Sequence, residues 1–159
     1  MIRAFLALLV LGASQAEAND SLWSLLKGGG QVVLIRHTIT TPGVGDPPGF
    51  RLEDCATQRN LTDPGRGHAK RIGEAWAFGK SEVSQPLGNL FGRPENREKQ
   101  VEQMKVLVSA RPKRGNLVLV SHGSTISALT GVSPGTGEMV VVTPQGGGKF
   151  AVAGRLGVN

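Results

Sequence analysis

The chain has 159 residues, of which 39% are hydrophobic and 19% charged, so it is expected to form one globular domain rather than a disordered chain. Its net charge of +6 is compatible with lipopolysaccharide, anionic lipid or a phosphorylated substrate. Basic residues are not interleaved with aromatic ones, and no nucleic-acid partner is predicted.

Residues 1–18 have the three-part layout of a signal peptide. Arg3 supplies the positive start, residues 4–13 form an apolar run, and Ala16-Glu17-Ala18 is a small-x-small cleavage site. The apolar run is too short to span a bilayer comfortably. We therefore expect residues 19–159 to be the mature domain, exported to the periplasm or secreted, with no transmembrane segment left after cleavage. A first core helix is the alternative interpretation.

The first half of the domain alternates predicted helices and strands. Asp20 is expected to cap a short helix over residues 21–26. Residues 32–35 form an apolar, β-branched run that is typical of a strand buried on both faces, and it ends in Arg36-His37. Residues 38–51 are rich in Pro and Gly and form a loop long enough to be functional. Thr62 is the predicted N-cap of the next helix, which places Ala69, Ile72 and Trp76 on one stripe.

The second half continues the alternation. The pattern predicts a helix over 95–110, a strand over 117–120 that ends in Ser121-His122-Gly123, a short helix over 124–130, and strands over 139–143 and 149–156. Because strands alternate with helices, the fold class is predicted to be α/β.

Two apolar strands each deliver a histidine at their carboxyl end, His37 and His122. Ligands of open α/β sheets bind at the carboxyl ends of strands, so both imidazoles are expected in one crevice if the strands are neighbours. Arg36 offers a planar fork for phosphate oxygens, and the helix that begins after His122 attracts anions at its N-terminus. A neutral imidazole can attack phosphorus and form a phosphohistidine. The pattern therefore predicts a phosphate site that contains a nucleophile.

Other interpretations of these residues stay open at this point. A histidine at a strand end is often only a satisfied polar residue. A zinc site with His68 as a third ligand is conceivable, although His68 lies on a predicted helix without ligand-like spacing to the other two. Cys55, the single cysteine, lies far in sequence from both histidines and is not interpreted as a nucleophile.

Three motifs in order resemble the histidine phosphatase superfamily, which is phosphoglycerate-mutase-like. Val33-Leu34-Ile35-Arg36-His37 resembles its opening Arg-His motif, with Thr38 in place of a small residue. Residues 60–69 (NLTDPGRGHA) resemble its Leu-Thr-x-x-Gly-x-x-Gln-Ala motif, with His68 where Gln is usual. Residues 118–123 (VLVSHG) resemble its second histidine strand. The stretch GDPPGFRLEDCATQRNLT is similar to an exported bacterial subgroup of the first branch of the superfamily.

The resemblance implies a three-layer α/β/α domain with a mostly parallel sheet. It implies that His37 is the phosphorylated nucleophile and that Arg36, His122 and Gly123 bind the phosphoryl group of a small substrate. It also implies that the protein needs no metal and no organic cofactor. Asp46, Glu53 and Asp54 are candidates for the general acid that protonates the leaving group, and Asp46 and Glu53 are preferred.

The chain departs from the family at one segment. Relatives carry a further strand with an arginine that joins the phosphate pocket, but here Trp76 passes directly to residues 77–80 (AFGK) with no apolar strand between. We therefore expect that one core strand is deleted. Arg51, Arg59 and Arg93 are possible substitutes for the lost arginine, and spacing favours none of them. A phosphomonoesterase is the leading hypothesis; a degenerate relative that only binds phosphate or an anionic envelope ligand is the second, and a basic envelope-associated protein with no phosphate site is the third.

Overall fold

A computed structural model describes residues 10–43, 45–51, 53–76, 81–91 and 94–157, with side chains from residue 19 onward. It contains both helices and strands, as the predicted α/β class requires. The helices are α1 (Val10–Lys27), α2 (Asp63–Trp76), α3 (Arg97–Ser109) and α4 (Gly123–Thr130). The strands are β1 (Val32–Arg36), β2 (Leu117–Ser121), β3 (Met139–Gly146) and β4 (Lys149–Leu156).

The described strands form one sheet in the order β2-β1-β3-β4. β1 pairs with β2 in parallel and with β3 in antiparallel, and β3 pairs with β4 in antiparallel. Three of the described strands therefore run in one direction, and β3 is reversed. In the direction of its strands the sheet is mostly parallel, as expected. Two of the three pairings between neighbouring strands are nevertheless antiparallel. The short glycine turn between β3 and β4 accounts for the antiparallel pairing of these two strands, since a tight hairpin joins only antiparallel neighbours.

Helices cover both faces of the sheet and make three layers. One core cluster joins β1 and β3 to Met104 and Val108 of α3 and to Ile126 of α4. A second cluster, on the opposite face, joins the same strands to Leu22 of α1 and Ile72 of α2. Because alternate residues of a strand point to opposite faces, the continuous apolar runs of β1 and β3 are buried on both sides.

The N-terminal helix is longer than the sequence predicts. α1 begins at Val10 and runs to Lys27, so Asp20 lies inside the helix and is not its cap, which corrects that prediction. The helix also continues through the expected cleavage point after Ala18. Residues 1–9 lie outside the described residues, so the signal peptide stays a prediction. No helix in the described part of the chain has the length and apolar character that crossing a membrane requires.

Helix α2 begins where Thr62 was predicted to cap it. The hydroxyl of Thr62 accepts a hydrogen bond from the Gly65 amide at 3.1 Å, as an N-cap side chain should. Gly65 is buried against the segment that follows His37: a β-carbon at this position would lie 2.0 Å from the carbonyl oxygen of Ile39. Only glycine therefore allows α2 to approach this closely.

Strand β2 lies at one edge of the described sheet. Val120 on this strand is 53% exposed, whereas the residues of the central strand β1 are buried or nearly so. The expected deletion would fall at residues 77–80, which lie outside the described residues, and it stays a prediction.

The two tryptophans of the chain pack against each other. Trp23 of α1 and Trp76 of α2 have ring centroids 5.1 Å apart and ring planes inclined at 32°. Trp23 is 40% exposed. This pair joins the two helices that cover one face of the sheet.

Candidate active site

The parallel pairing of β1 with β2 brings the two strand-end histidines together. Arg36 is in register with Ser121, and the next residue on each strand is a histidine. The backbone amide of His37 donates to the carbonyl of Ser121 at 2.9 Å, which extends the ladder by one step. The rings of His37 and His122 lie with centroids 4.8 Å apart and planes at 71°. The crevice expected from the two strand ends is therefore present.

The ring of His37 is held in one orientation by its own neighbour. Its Nδ1 lies 2.8 Å from the carbonyl oxygen of Thr38. A carbonyl only accepts hydrogen bonds, so in this contact Nδ1 carries the proton and donates it. The neutral ring then has its lone pair on Nε2. This is the tautomer that a nucleophilic imidazole needs.

His122 is held as a neutral imidazole. Burial lowers the pKa of His122 from 6.5 to about 4, with smaller contributions in the same direction from His37, Arg59 and Arg36, and Asp46 opposes them. The backbone of His122 also starts α4, because its carbonyl accepts from the amides of residues 125 and 126. The first turn of α4, which begins at Gly123, therefore lies beside the ring and presents partial positive charge to the crevice.

Arg36 lines the same crevice, and one of its donors is unsatisfied among the described residues. Its Nη1 donates to the carbonyl of Pro134 at 2.9 Å, which fixes the guanidinium. Its Nε is buried and has no hydrogen-bond partner among the described residues. A β-carbon at Gly123 would lie 3.2 Å from this Nε, so the small residue after His122 leaves room for the guanidinium. Unsatisfied buried donors are costly. Because Arg36 also lines the crevice, its guanidinium is placed to bind an anion there.

A second arginine reaches the crevice from the loop before α2. The chain after His37 pairs with the chain before α2: Thr40 and Leu61 form an antiparallel bridge, and the amide of Thr41 donates to the carbonyl of Asn60 at 2.9 Å. This closure brings Arg59 to the edge of the crevice, where its charge helps to lower the pKa of His122. Its guanidinium donates to the carbonyl of Gly43.

The other arginines named in the sequence are placed differently. Arg51 forms an ion pair with Asp54 at 2.5 Å, and its side chain is 61% exposed. Arg93 lies outside the described residues. Spacing along the chain did not favour Arg59, because its position depends on the Thr40–Leu61 bridge, which joins segments of irregular backbone that carry no periodic pattern.

One of the acidic candidates lies in the crevice. Asp46 lines the opening beside His37 and His122, and its Oδ1 accepts from the backbone amide of Arg59 at 2.9 Å. Asp54 caps a 3-10 turn at Cys55–Thr57, pairs with Arg51, and is not among the described residues that line the crevice. Glu53 is exposed and is not among the described residues that line the crevice.

The histidine pair lines two openings that share part of their lining. The first has a volume of about 650 Å³ and is rich in hydroxyl groups. Its lining includes Arg36, Ser124, Ser127, Ser133 and Thr136. The second has a volume of about 720 Å³ and is rich in amide groups. Its lining includes Asp46, Gln58, Gln85 and Gln100. His37, Arg59, Asn89 and His122 line both. The sequence did not predict Asn89 or the serines, which lie in loops or on α4 without a motif.

The metal interpretation finds no ligand set in the described part of the chain. No group of three or more His, Cys, Asp or Glu side chains there could hold an ion. The third histidine, His68, packs against Gly137, where a β-carbon would lie 2.3 Å from its ring. Cys55 is exposed and unpaired.

Comparison with known proteins finds similar solved structures and no match in sequence. No protein-family model matches the chain, and no curated protein sequence matches it either. Among solved structures, the chain is similar to the protein histidine phosphatase SixA complexed with tungstate, with 13% sequence identity and a TM-score of 0.49. That match covers 80% of this chain and 96% of SixA. A likeness at this level carries no weight for function, which has to be judged from the side chains of this chain.

Proposed function

We propose that this chain is a histidine phosphatase, a phosphomonoester hydrolase that forms a phosphohistidine on Nε2 of His37. One observation carries the proposal: the Nδ1–H of His37 is engaged by the Thr38 carbonyl, and the ring of His122 stands across from it at 4.8 Å. A half-buried imidazole pair held this way, beside an arginine that lines the same crevice and has one donor unpaired among the described residues, has the composition of a site for a tetrahedral anion.

Each group has a distinct part in the proposed reaction. Nε2 of His37 attacks phosphorus while the bond from phosphorus to the leaving oxygen breaks. Arg36, the neutral N–H of His122 and the first turn of α4 at Gly123 stabilise the negative charge on the phosphoryl oxygens. Arg59, which lines both openings, adds a second guanidinium.

Two proton transfers complete the cycle. The leaving oxygen takes a proton from the carboxylic acid form of Asp46, the acidic side chain that lines the crevice. Water then attacks phosphorus, its proton passes back to Asp46, and the nitrogen–phosphorus bond breaks to release inorganic phosphate. Asp46→Asn should therefore slow the hydrolysis of alkyl phosphates, which have poor leaving groups, more than that of p-nitrophenyl phosphate.

The direct test compares variants of the histidines of the chain. Wild type, His37→Asn and His68→Gln are assayed for hydrolysis of p-nitrophenyl phosphate, and reactions stopped with denaturant at alkaline pH are examined for an acid-labile phosphohistidine. Loss of both activity and label in His37→Asn, with both retained in His68→Gln, is the expected result. His68 serves as a matched control because it packs against Gly137 rather than in the crevice.

A ligand assay separates an enzyme from a protein that only binds phosphate. If wild type shows no turnover but inorganic phosphate or vanadate raises its melting temperature, and His37→Asn loses that shift, the chain is a phosphate-binding relative and the hydrolase proposal is wrong. If wild type shows neither turnover nor a shift, the crevice is not a phosphate site.

A further inference from the structure

The end of the molecule opposite the crevice carries a cluster of exposed positive side chains. The crevice lies at the carboxyl ends of β1 and β2, whereas these side chains lie at the amino ends of those strands, at the end of α1, at the start of β4 and in the loop before β2. All of the cluster's members are exposed, and none forms an ion pair with a described residue. We call them the basal cluster: Lys27, Arg111, Lys113, Arg114 and Lys149.

Backbone contacts hold the loops of the basal cluster together. The amide of Gly30, three residues after Lys27, donates to the carbonyl of Gly115 at 2.6 Å. The side chain of Arg111 lies over Gly30, where a β-carbon would be 2.6 Å from its Nε. The amide of Gly148, next to Lys149, donates to the hydroxyl of Ser109 at 3.2 Å. The cluster is therefore a fixed surface and not a flexible tail.

The segments of the chain that carry the basal cluster contain no acidic residue. Residues 21–45, 103–137 and 139–159 contain no Asp or Glu, and the members of the basal cluster all fall within these segments. The C-terminal ends of α1 and α3 lie here, and a cation in the last turn of a helix stabilises its dipole. That accounts for Lys27, but Lys113, Arg114 and Lys149 lie beyond either helix.

We propose that the basal cluster binds the headgroups of an anionic membrane surface. A compact group of Lys and Arg side chains is attracted to anionic lipid at short range. Trp23, one turn before Lys27 on α1, is 40% exposed, and tryptophan side chains favour the headgroup region of a bilayer. A protein docked in this way holds its histidine crevice away from the lipid, open to solvent.

Vesicle sedimentation tests the proposal without reference to catalysis. The full chain is mixed with vesicles of phosphatidylcholine alone or with one third phosphatidylglycerol, in 0.1 M and 0.5 M NaCl. The difference between the two lipid compositions isolates the contribution of charge from any apolar binding by residues 4–13. Wild type is expected to prefer the anionic vesicles at low salt and to lose that preference at high salt.

Two variants with the same change in net charge locate the binding surface. K113E/R114E should lower the partition coefficient onto anionic vesicles by about tenfold or more. R97E/K99E, on exposed residues of the first turn of α3 at the opposite end, should change it far less. Melting temperatures of both variants check that each is folded.

Three outcomes would overturn the proposal. The first is that wild type does not distinguish anionic from neutral vesicles. The second is that both variants lose binding equally, which makes the effect one of net charge. The third is that wild type binds a short DNA duplex and not the vesicles, which would assign the cluster to nucleic acid. None of these outcomes bears on the phosphatase proposal.

Discussion

The imidazole of His122 makes stability depend on pH. In the unfolded chain its pKa has the ordinary value of 6.5, and in the folded protein burial lowers that pKa to about 4. Between these two values the unfolded state takes up a proton that the folded state excludes. The free energy of unfolding is therefore not reduced by His122 above about pH 6.5. It decreases as the pH falls towards 4, by up to about 3 kcal/mol.

Urea unfolding of wild type and His122→Gln at pH 7 and pH 4.5 measures this contribution. Carboxyl groups also titrate in this range, but they are common to both proteins and cancel in the comparison. Wild type should lose more free energy of unfolding than the variant on acidification. Equal losses would mean that His122 is as easily protonated in the folded state as in the unfolded chain.

Arg59 lines the crevice together with Arg36 and the histidine pair. An arginine directed at a phosphoryl group in its transition state can contribute ~10³-fold or more to the rate. Arg59→Met should therefore lower kcat/KM by about tenfold at least, and Arg59→Lys should recover only part of the loss because an ammonium lacks the planar fork. Arg51→Met, which removes an exposed arginine eight residues earlier, is the control.

The melting temperatures of the Arg59 variants decide how the result is interpreted. The guanidinium of Arg59 also donates to the carbonyl of Gly43, so its removal affects the loop as well as the site. An activity loss that follows a loss of folded protein would make Arg59 a structural residue. Weaker protection by inorganic phosphate in a fully folded variant is the result expected for a phosphate ligand.

At the scale of elements, the fit of α2 against the chain that follows His37 depends on one glycine. Gly65→Ala places a β-carbon 2.0 Å from the carbonyl of Ile39, so α2 has to move away, and the free energy of unfolding should decrease by about 1–3 kcal/mol. Because the hydroxyl of Thr38 donates to the carbonyl of Gly65, the same shift should lower activity.

Gly73→Ala in the same helix is the matched control. A β-carbon there meets no atom within 4 Å, so alanine should stabilise α2 by about 1 kcal/mol through its helix propensity. Chemical denaturation of both variants measures the two effects. Destabilisation by both would point to a general intolerance of α2 and not to the contact with Ile39.

The elements differ in how far the sequence predicted them. β1, β2, α2 and α4 were predicted within one or two residues, because each has an apolar period and a clear boundary residue such as Thr62 or Gly131. The start of α1 was wrong because Asp20 was interpreted as a cap, whereas the apolar and alanine-rich residues before it continue the helix. The segment from Thr38 to Asn60 has no period, and its shape comes from contacts that are distant along the chain.

At the scale of the whole molecule, the order of the strands in the sheet could be predicted only in part. Two apolar strands that end in histidine predict a shared crevice, and the parallel register of β1 with β2 delivers it. The position of β3 between β1 and β4 has no local signal, because it depends on which apolar faces the helices cover. Arg36 and the histidine pair could be predicted, but Arg59 and Asn89 could not, since both are held by irregular backbone.

The contact between Trp23 and Trp76 has a consequence for spectroscopy. The chain contains 2 tryptophans and no tyrosine, so nearly all its intrinsic fluorescence arises where α1 meets α2. A change in tryptophan emission therefore reports the detachment of the N-terminal helix. Ligand binding in the distant crevice can be complete and still leave this emission almost unchanged. An optical unfolding curve and an activity curve consequently sample opposite ends of this molecule.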